Sequence, residues 1–207
     1  MPEATADPSG LLRTGLLEGQ VLAVASPRAE GGFAARVKAV CAELSARVED
    51  LGWEPDDENA CDGAVAAMVQ RHAGVHTLVN DAAAAYELTL GQRGDWRAGQ
   101  QALRAALDGA WNATRAAANG AFIAAADGGK VINLAPPPSA GPGAVAAAAG
   151  LENMARTLSI EWSRYGIRVT TIAPGDTATP AQVATLVAFL ASPAGDYYSG
   201  CRFALAC

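Results

Sequence analysis

Short, continuously apolar runs recur along the chain, each followed by a stretch whose apolar residues return every three or four positions. The first run is VLAVAS after Gln20, compact and β-branched, as expected of a strand buried on both faces. From Gly32 to about Ala46, Phe33, Val37, Val40, Cys41 and Leu44 fall at helical spacing. Arg47 to Leu51 is a weaker strand pattern, and the acidic WEPDDEN reads as a turn opening a helix over Ala60 to His72. HTLVN (His76 to Asn80), KVINL (Lys130 to Leu134) and IRVTTIAP (Ile167 to Pro174) are further buried strands, and CRFALA is a closing one. Helices are predicted over about Asp95 to Gly120, Val145 to Arg164 and Ala181 to Ala191. Between them, APPPSAGPG holds four prolines and two glycines, which exclude regular structure. Alternating strands and helices predict a doubly wound α/β fold, with a parallel sheet of six strands covered on both faces. No repeat or linker divides it, so one domain is expected over residues 15–207, after a disordered lead-in over residues 1–14.

Composition narrows the class of protein. A chain of 207 residues, 51% hydrophobic and 17% charged, is a compact globule with one sizeable core. The net charge is −6, and the 15 basic residues include only the lysines Lys38 and Lys130, without clustering. Nucleic acid and anionic membrane are therefore not expected partners, since phosphate binding needs a concentrated basic face. No apolar run approaches a membrane span. The start, MPEATADPSG, is the reverse of a signal peptide, and the four cysteines form no CxxC pair. A cytoplasmic, reduced protein is the expectation.

Five segments in order then resemble the short-chain dehydrogenase/reductase family. GLLEGQVLAVAS is similar to the family's first strand, and LVNDAA from Leu78 to its Asn-Asn-Ala-Gly stretch. LDGAWNATRAA from Leu107 resembles the central helix. GLENMARTLSIEWSRYGIRVTTIAPG, Gly150 to Gly175, follows the next helix and strand almost position by position, and LVAFLASPAGDYYSGCRFAL from Leu186 the C-terminal elements. The resemblance implies a Rossmann-like sheet and nicotinamide-dependent interconversion of alcohols and ketones. It also implies that the span from Ser26 to Asn80 is one strand–helix unit short, and that the substrate lid after Gly175 is missing.

The family's chemistry uses a Tyr as proton donor, a Lys four residues later that lowers its pKa, a Ser that positions the substrate oxygen, and an Asn that supports a water relay. With Ala149 to Leu151 as anchor, the Tyr position falls on Ala144 and the Lys position on Ala148. The Ser position falls near Ala135 or Pro136, and the Asn position on Ala106. No tyrosine anywhere in the chain has a lysine four residues on. General acid–base help is worth roughly a hundred- to ten-thousand-fold in rate, so the expectation is a chain that is not an enzyme by itself. The Gly-rich cofactor motif corresponds to Ala25 through Gly32, where Ser26 and Gly32 are vestiges, Pro27 removes a donor, and Glu30 opposes a pyrophosphate. Arg28 is the one compensating charge. Asn80, Pro174 and Gly175 are further vestigial cofactor positions, and no NAD or NADP is expected on this chain, only on an active partner.

The remaining candidates carry little chemistry. His72 and His76 are four apart but straddle Gly74 at a helix–strand junction, so no metal site is expected. Ser139 has no base near it in sequence, and Asp56, Asp57 and Glu58 suit a solvated helix start. In the family the central helix and the helix after the proline-rich loop pair across a two-fold axis. Both keep their pattern here, with Trp111, Leu151, Met154, Leu158 and Trp162 as interface candidates. The favoured expectation is a pseudoenzyme subunit that assembles with an active member of the family acting on a hydroxyacyl/ketoacyl thioester or a similar alcohol or ketone. The alternatives are a homo-oligomeric sensor of a small molecule or nucleotide, and an altered NAD(P)-dependent oxidoreductase.

Overall fold

In the computed structural model, residues 8–28, 30–54, 56–91 and 94–206 are described. Six strands form one wholly parallel sheet: β1 (Val21–Ala25), β2 (Arg47–Asp50), β3 (Thr77–Asn80), β4 (Gly129–Leu134), β5 (Ile167–Pro174) and β6 (Arg202–Leu205). Their spatial order is β2-β1-β3-β4-β5-β6, so the winding reverses between β1 and β3. Every residue of β1 and β3 is buried, which is why those segments read as unbroken apolar runs.

The helices are α1 (Gly32–Glu43), α2 (Glu58–His72), α3 (Ala82–Leu90), α4 (Trp96–Ala117), the single turn α5 (Ile123–Ala125), α6 (Ala144–Glu161) and α7 (Pro180–Ala191). On one face of the sheet α1 and α7 bury Val37, Val40, Val183 and Val187 against Leu22, Val24 and Ile132. On the other face α2, α4 and α6 bury Val65, Met68, Ala117 and Leu158 against Leu78, Val131 and Val169. One strand, β2, and two helices, α1 and α2, lie between β1 and β3, and the two helices pack on opposite faces of the sheet. Edge strand β2 is guarded by charge: Asp50 pairs with Lys38 at 2.9 Å, and Glu49 with Arg71 at 2.6 Å.

The predicted elements appear within a few residues of their expected bounds, with two departures. Residues 1–7 of the expected disordered lead-in lie outside the described residues, but Pro8–Leu11 forms a 3₁₀ turn and Leu12 packs on the α1–α7 cluster. Order therefore begins before residue 15. The second departure is α3, which no periodicity in the sequence marks. Its first five residues, Ala82 through Tyr86, are all buried, and exposure is confined to Glu87, Leu88 and Thr89 in a single turn, too short a stretch to set a period. The available signal is Asp81, whose side chain caps the helix by accepting from the Ala84 N–H at 3.1 Å.

Helix α4 lies unusually close to the loop before α6. A Cβ on Gly99 would sit 2.1 Å from the Pro142 carbonyl oxygen, backbone against helix, with nothing flexible to yield. On α2, Gly63 has nothing within 4 Å of its would-be Cβ. Gly99→Ala is therefore expected to destabilise by about 1–3 kcal/mol, a fall of roughly 2–4 °C in Tm for each kcal/mol. Gly63→Ala, at an open helical position, should stabilise by about 0.5–1 kcal/mol. Urea denaturation of both variants beside the parent checks the pair.

Candidate active site

A doubly wound sheet offers a crevice beyond the carboxyl ends of its strands where the winding reverses. Here that point lies between β1 and β3, and the residues just past them are Ser26 and Asp81. They are joined: the Ser26 hydroxyl donates to Asp81 Oδ2 at 2.9 Å and accepts from the Arg28 N–H at 3.2 Å. Above this pair Arg28 Nη1 meets Glu87 Oε2 of α3 at 3.0 Å. Arg28, Gly32, Phe33, Asp81, Ala83, Ala84, Glu87 and Pro180 surround a cavity of about 140 Å³.

The floor of the crevice opens onto the start of α1. Gly31 and Gly32 have φ values of 81° and 66°, which a residue with a Cβ adopts only under strain. Among the described residues no side chain caps this end, which leaves the first N–H groups of α1 without a capping partner there. A Cβ on Gly31 would meet nothing within 4 Å. An uncapped N-terminus, open space above it and the Arg28 guanidinium beside it fit a dinucleotide's pyrophosphate. Gly31 and Gly32 would admit the phosphates to the backbone, and Arg28 would pair with them.

Asn80 belongs to the frame of the site. Fully buried, it donates from Nδ2 to Thr114 Oγ1 and to Asn133 Oδ1, both at 2.9 Å, tying β3 to α4 and β4. Asp81 is 1% exposed, and burial raises its pKa, opposed in part by the Ala84 N–H and the Ser26 hydroxyl. Gly175 is a packing position: its Cβ would fall 2.2 Å from the Ala206 carbonyl oxygen, and its N–H donates to Leu205 O at 2.7 Å. Pro174 ends β5, buried.

The alanines at the expected catalytic positions do come together. Ala106 of α4, Ala135 after β4 and Ala144 at the start of α6 belong to one buried cluster with Tyr86 of α3. Tyr86 is fully buried, its hydroxyl donates to the Pro142 carbonyl, and burial raises its pKa. Its aromatic ring thus takes up space where the three alanines leave room. Ala148 is half-buried and, with Pro136, Pro138, Ala149, Pro174 and Gly175, lines a cavity of about 170 Å³ closed by Glu152 and Arg202. Glu152 pairs with Arg156 at 2.7 Å and with Arg202 at 3.5 Å. Across the mouth, the Ser139 N–H donates to Asp176 Oδ1 at 2.9 Å. Hydrogen bonds from the Ser139 side chain and backbone hold the Asp176 carboxyl below its ordinary pKa.

Other candidates fall away from this region. His72 faces Glu49, Nε2 to Oε1 2.8 Å, while His76 Nδ1 accepts from the Val21 N–H at 2.9 Å. Asp57 caps α2 by accepting from the Asn59 and Ala60 N–H groups. Among the described residues no group of His, Cys, Asp and Glu is placed to hold a metal, and no helix is long and apolar enough to cross a membrane. Of the interface candidates, Leu151 and Leu158 are corrected to core, at 0% and 4% exposure, because they lie on the stripe of α6 that faces the sheet. Met154 and Trp162 are half-buried against the core clusters, and Trp111 is 40% exposed. Tyr86 and Glu87 are the site residues whose importance only the fold reveals, since both reach the site on the unmarked helix α3.

A crevice at the switch point of such a sheet is where doubly wound α/β proteins bind their ligands, and comparison with known proteins narrows the class. The family model described as enoyl-(acyl carrier protein) reductase matches residues 16–184. The chain belongs to the short-chain dehydrogenase/reductase family. Among solved structures it is similar to a citronellol catabolism dehydrogenase of Pseudomonas aeruginosa PAO1, with 24% identity and TM-score 0.76 over 94% of this chain and 96% of that one. A short chain dehydrogenase from Mycobacterium smegmatis gives 23%, TM-score 0.78, and 93% and 94%. A hydroxysteroid dehydrogenase from Escherichia coli gives 15%, TM-score 0.76, and 92% and 97%. No curated protein sequence matches.

Two expectations are corrected by this membership. The chain was expected not to be an enzyme by itself and to bind no cofactor. It belongs instead to a family of dehydrogenases and reductases whose members bind NAD(P), and the match runs through the crevice and α6.

The raised Asp81 has a measurable consequence. Between the ordinary carboxylate pKa and the raised folded value, the native state binds more protons than the unfolded state. Stability should therefore be greatest below that window and fall as pH rises through it. Asp81→Asn keeps a capping oxygen and removes the charge. From about pH 4 to pH 7 its urea midpoint should decline less than that of the parent.

Proposed function

We propose that this chain is an NAD(P)-linked oxidoreductase subunit that works in assembly with a second short-chain dehydrogenase/reductase carrying an intact Tyr-x-x-x-Lys pair. Its substrate class is a hydroxyacyl/ketoacyl thioester or a similar secondary alcohol and ketone. A nicotinamide dinucleotide bound in the crevice would supply or accept the hydride. This chain's own part is to seat the phosphates on Gly31, Gly32 and Arg28, and to present α4 and α6 to the partner.

The observation that carries this reading is where the apolar surface lies. Among the described residues, four of the seven exposed large hydrophobic side chains stand on α4 and α6: Trp96 at 67%, Trp111 at 40%, Val145 at 66% and Ile160 at 76%. The two helices pack on each other, and a Cβ on Gly150 of α6 would lie 2.9 Å from Leu107 of α4. On α6 the outward stripe runs Val145, Ala149, Asn153, Arg156 and Ile160, at the three-to-four spacing of one helix face. Small residues there allow a second helix pair to approach closely. The mixed charge of Arg104, Asp108, Arg156 and Glu161 along the same faces gives such a partner a register.

Purification of the tagged chain from its own host, followed by native mass spectrometry, is expected to yield an equimolar complex with a Tyr-x-x-x-Lys member of the family. Trp111→Arg and Ile160→Asp, both at exposed positions, should weaken that complex at least tenfold while leaving the thermal melt of the isolated chain within about 2 °C. A homo-oligomer that ignores such a partner overturns the assembly.

A further inference from the structure

The crevice between β1 and β3 holds a charge arrangement that neither the family match nor its ordinary chemistry accounts for. We propose that Glu87 is an internal stand-in for the phosphates of a nucleotide diphosphate: Arg28 holds its carboxylate when the crevice is empty and exchanges it for the ligand. The proposal rests on the nucleotide-binding reading given above and adds to it the group that competes with the nucleotide.

The geometry places the exchange where phosphates would have to lie. Arg28 Nη1 is 3.0 Å from Glu87 Oε2, and a Cβ on Gly32 would be 3.9 Å from that same nitrogen. The guanidinium therefore stands over the first residue of α1, beside N–H groups that no side chain caps. An anion there would gain both the guanidinium and the helix terminus. Glu87 reaches the spot from α3, and the Ser26–Asp81 hydrogen bond closes the crevice beneath it. Three features show that the pair is exchangeable and not a fixed strut. Both side chains keep contact with water, at 31% and 42% exposure. The cavity they border is about 140 Å³, room for one phosphate group beside them without rebuilding the sheet. Asp81, also on its wall, is a second carboxyl, buried and already held by the Ser26 hydroxyl and the Ala84 N–H, so it does not compete for Arg28 in Glu87's place.

The same pair selects among ligands. A neutral or cationic molecule gains nothing from displacing Glu87, whereas a diphosphate brings more negative charge to Arg28 than the single carboxylate it replaces. Entry of the ligand leaves Glu87 facing the phosphates unless α3 turns it outward. Glu87 consequently lowers affinity in two ways, by competing for Arg28 and by repelling the bound anion.

Isothermal titration with ADP-ribose, which carries the diphosphate without the nicotinamide, tests the exchange in the full chain. Glu87→Gln should bind about tenfold tighter than the parent, the scale of one charge-assisted hydrogen bond, and Arg28→Gln about tenfold weaker. In the double variant the gain from Glu87→Gln should vanish, since its effect runs through Arg28. Raising salt should erode the difference between the parent and Glu87→Gln. Measurable binding with equal or weaker affinity in Glu87→Gln overturns the stand-in and leaves the nucleotide site intact. No heat from any of the four proteins, each with an unchanged thermal melt, overturns the nucleotide reading itself. Complex formation with the partner subunit is read separately and is unmoved by either result.

Discussion

The amide of Asn80 is the constraint from which the site is built. A buried amide is costly unless its hydrogen bonds are made, and this one lies at the end of β3 with no exposure to water. Its Nδ2 donates to Asn133 on β4, its register partner, and to Thr114 on α4, while its Oδ1 finds no partner among the described residues. A slip of one residue in β3 would turn the amide onto the opposite face and put Val79 in its place. Register, helix position and the location of the next residue, Asp81, are therefore set together. Asp81 in turn caps α3 and accepts from Ser26 across the point where the winding reverses.

From that frame the crevice inherits its character. Helix α3 is held over the sheet by the Asp81 cap and by the burial of Tyr86, and it carries Glu87 to the mouth of the crevice. Tyr86 is packed in one buried cluster with Ala106, Ala135 and Ala144, the alanines at the positions where the resemblance puts acid–base residues. Small side chains on three elements and a large one on a fourth are a single packing solution. The uncapped start of α1 lies outside this cluster and remains open.

Assembly and crevice occupy different surfaces. The outer stripes of α4 and α6 stand away from the sheet, while the crevice opens at the ends of β1 and β3. Under the proposed function, a nucleotide at one and a partner at the other would not cover each other. The proline-rich loop and its Ser139–Asp176 bond lie between them and join the start of α6 to the turn after β5.

Fold class, strand positions and family were legible in the sequence because burial on both faces of a parallel sheet leaves unbroken apolar runs, and sheet-covering helices leave a three-to-four period. The strand ends Ser26, Asn80 and Gly175 could be placed for the same reason. Helix α3 escaped, because its first five residues are all buried and its exposed residues fall in one turn, which carries no period. So did the distinction between Leu151 and Trp111: both are large and apolar on a helix, and only the packed structure shows which one faces the sheet. The Arg28–Glu87 pair joins positions 59 apart in the chain. Contacts of that kind exist only once β1 and β3 lie side by side, and it is the sheet, bringing their ends together, that decides what the crevice can bind.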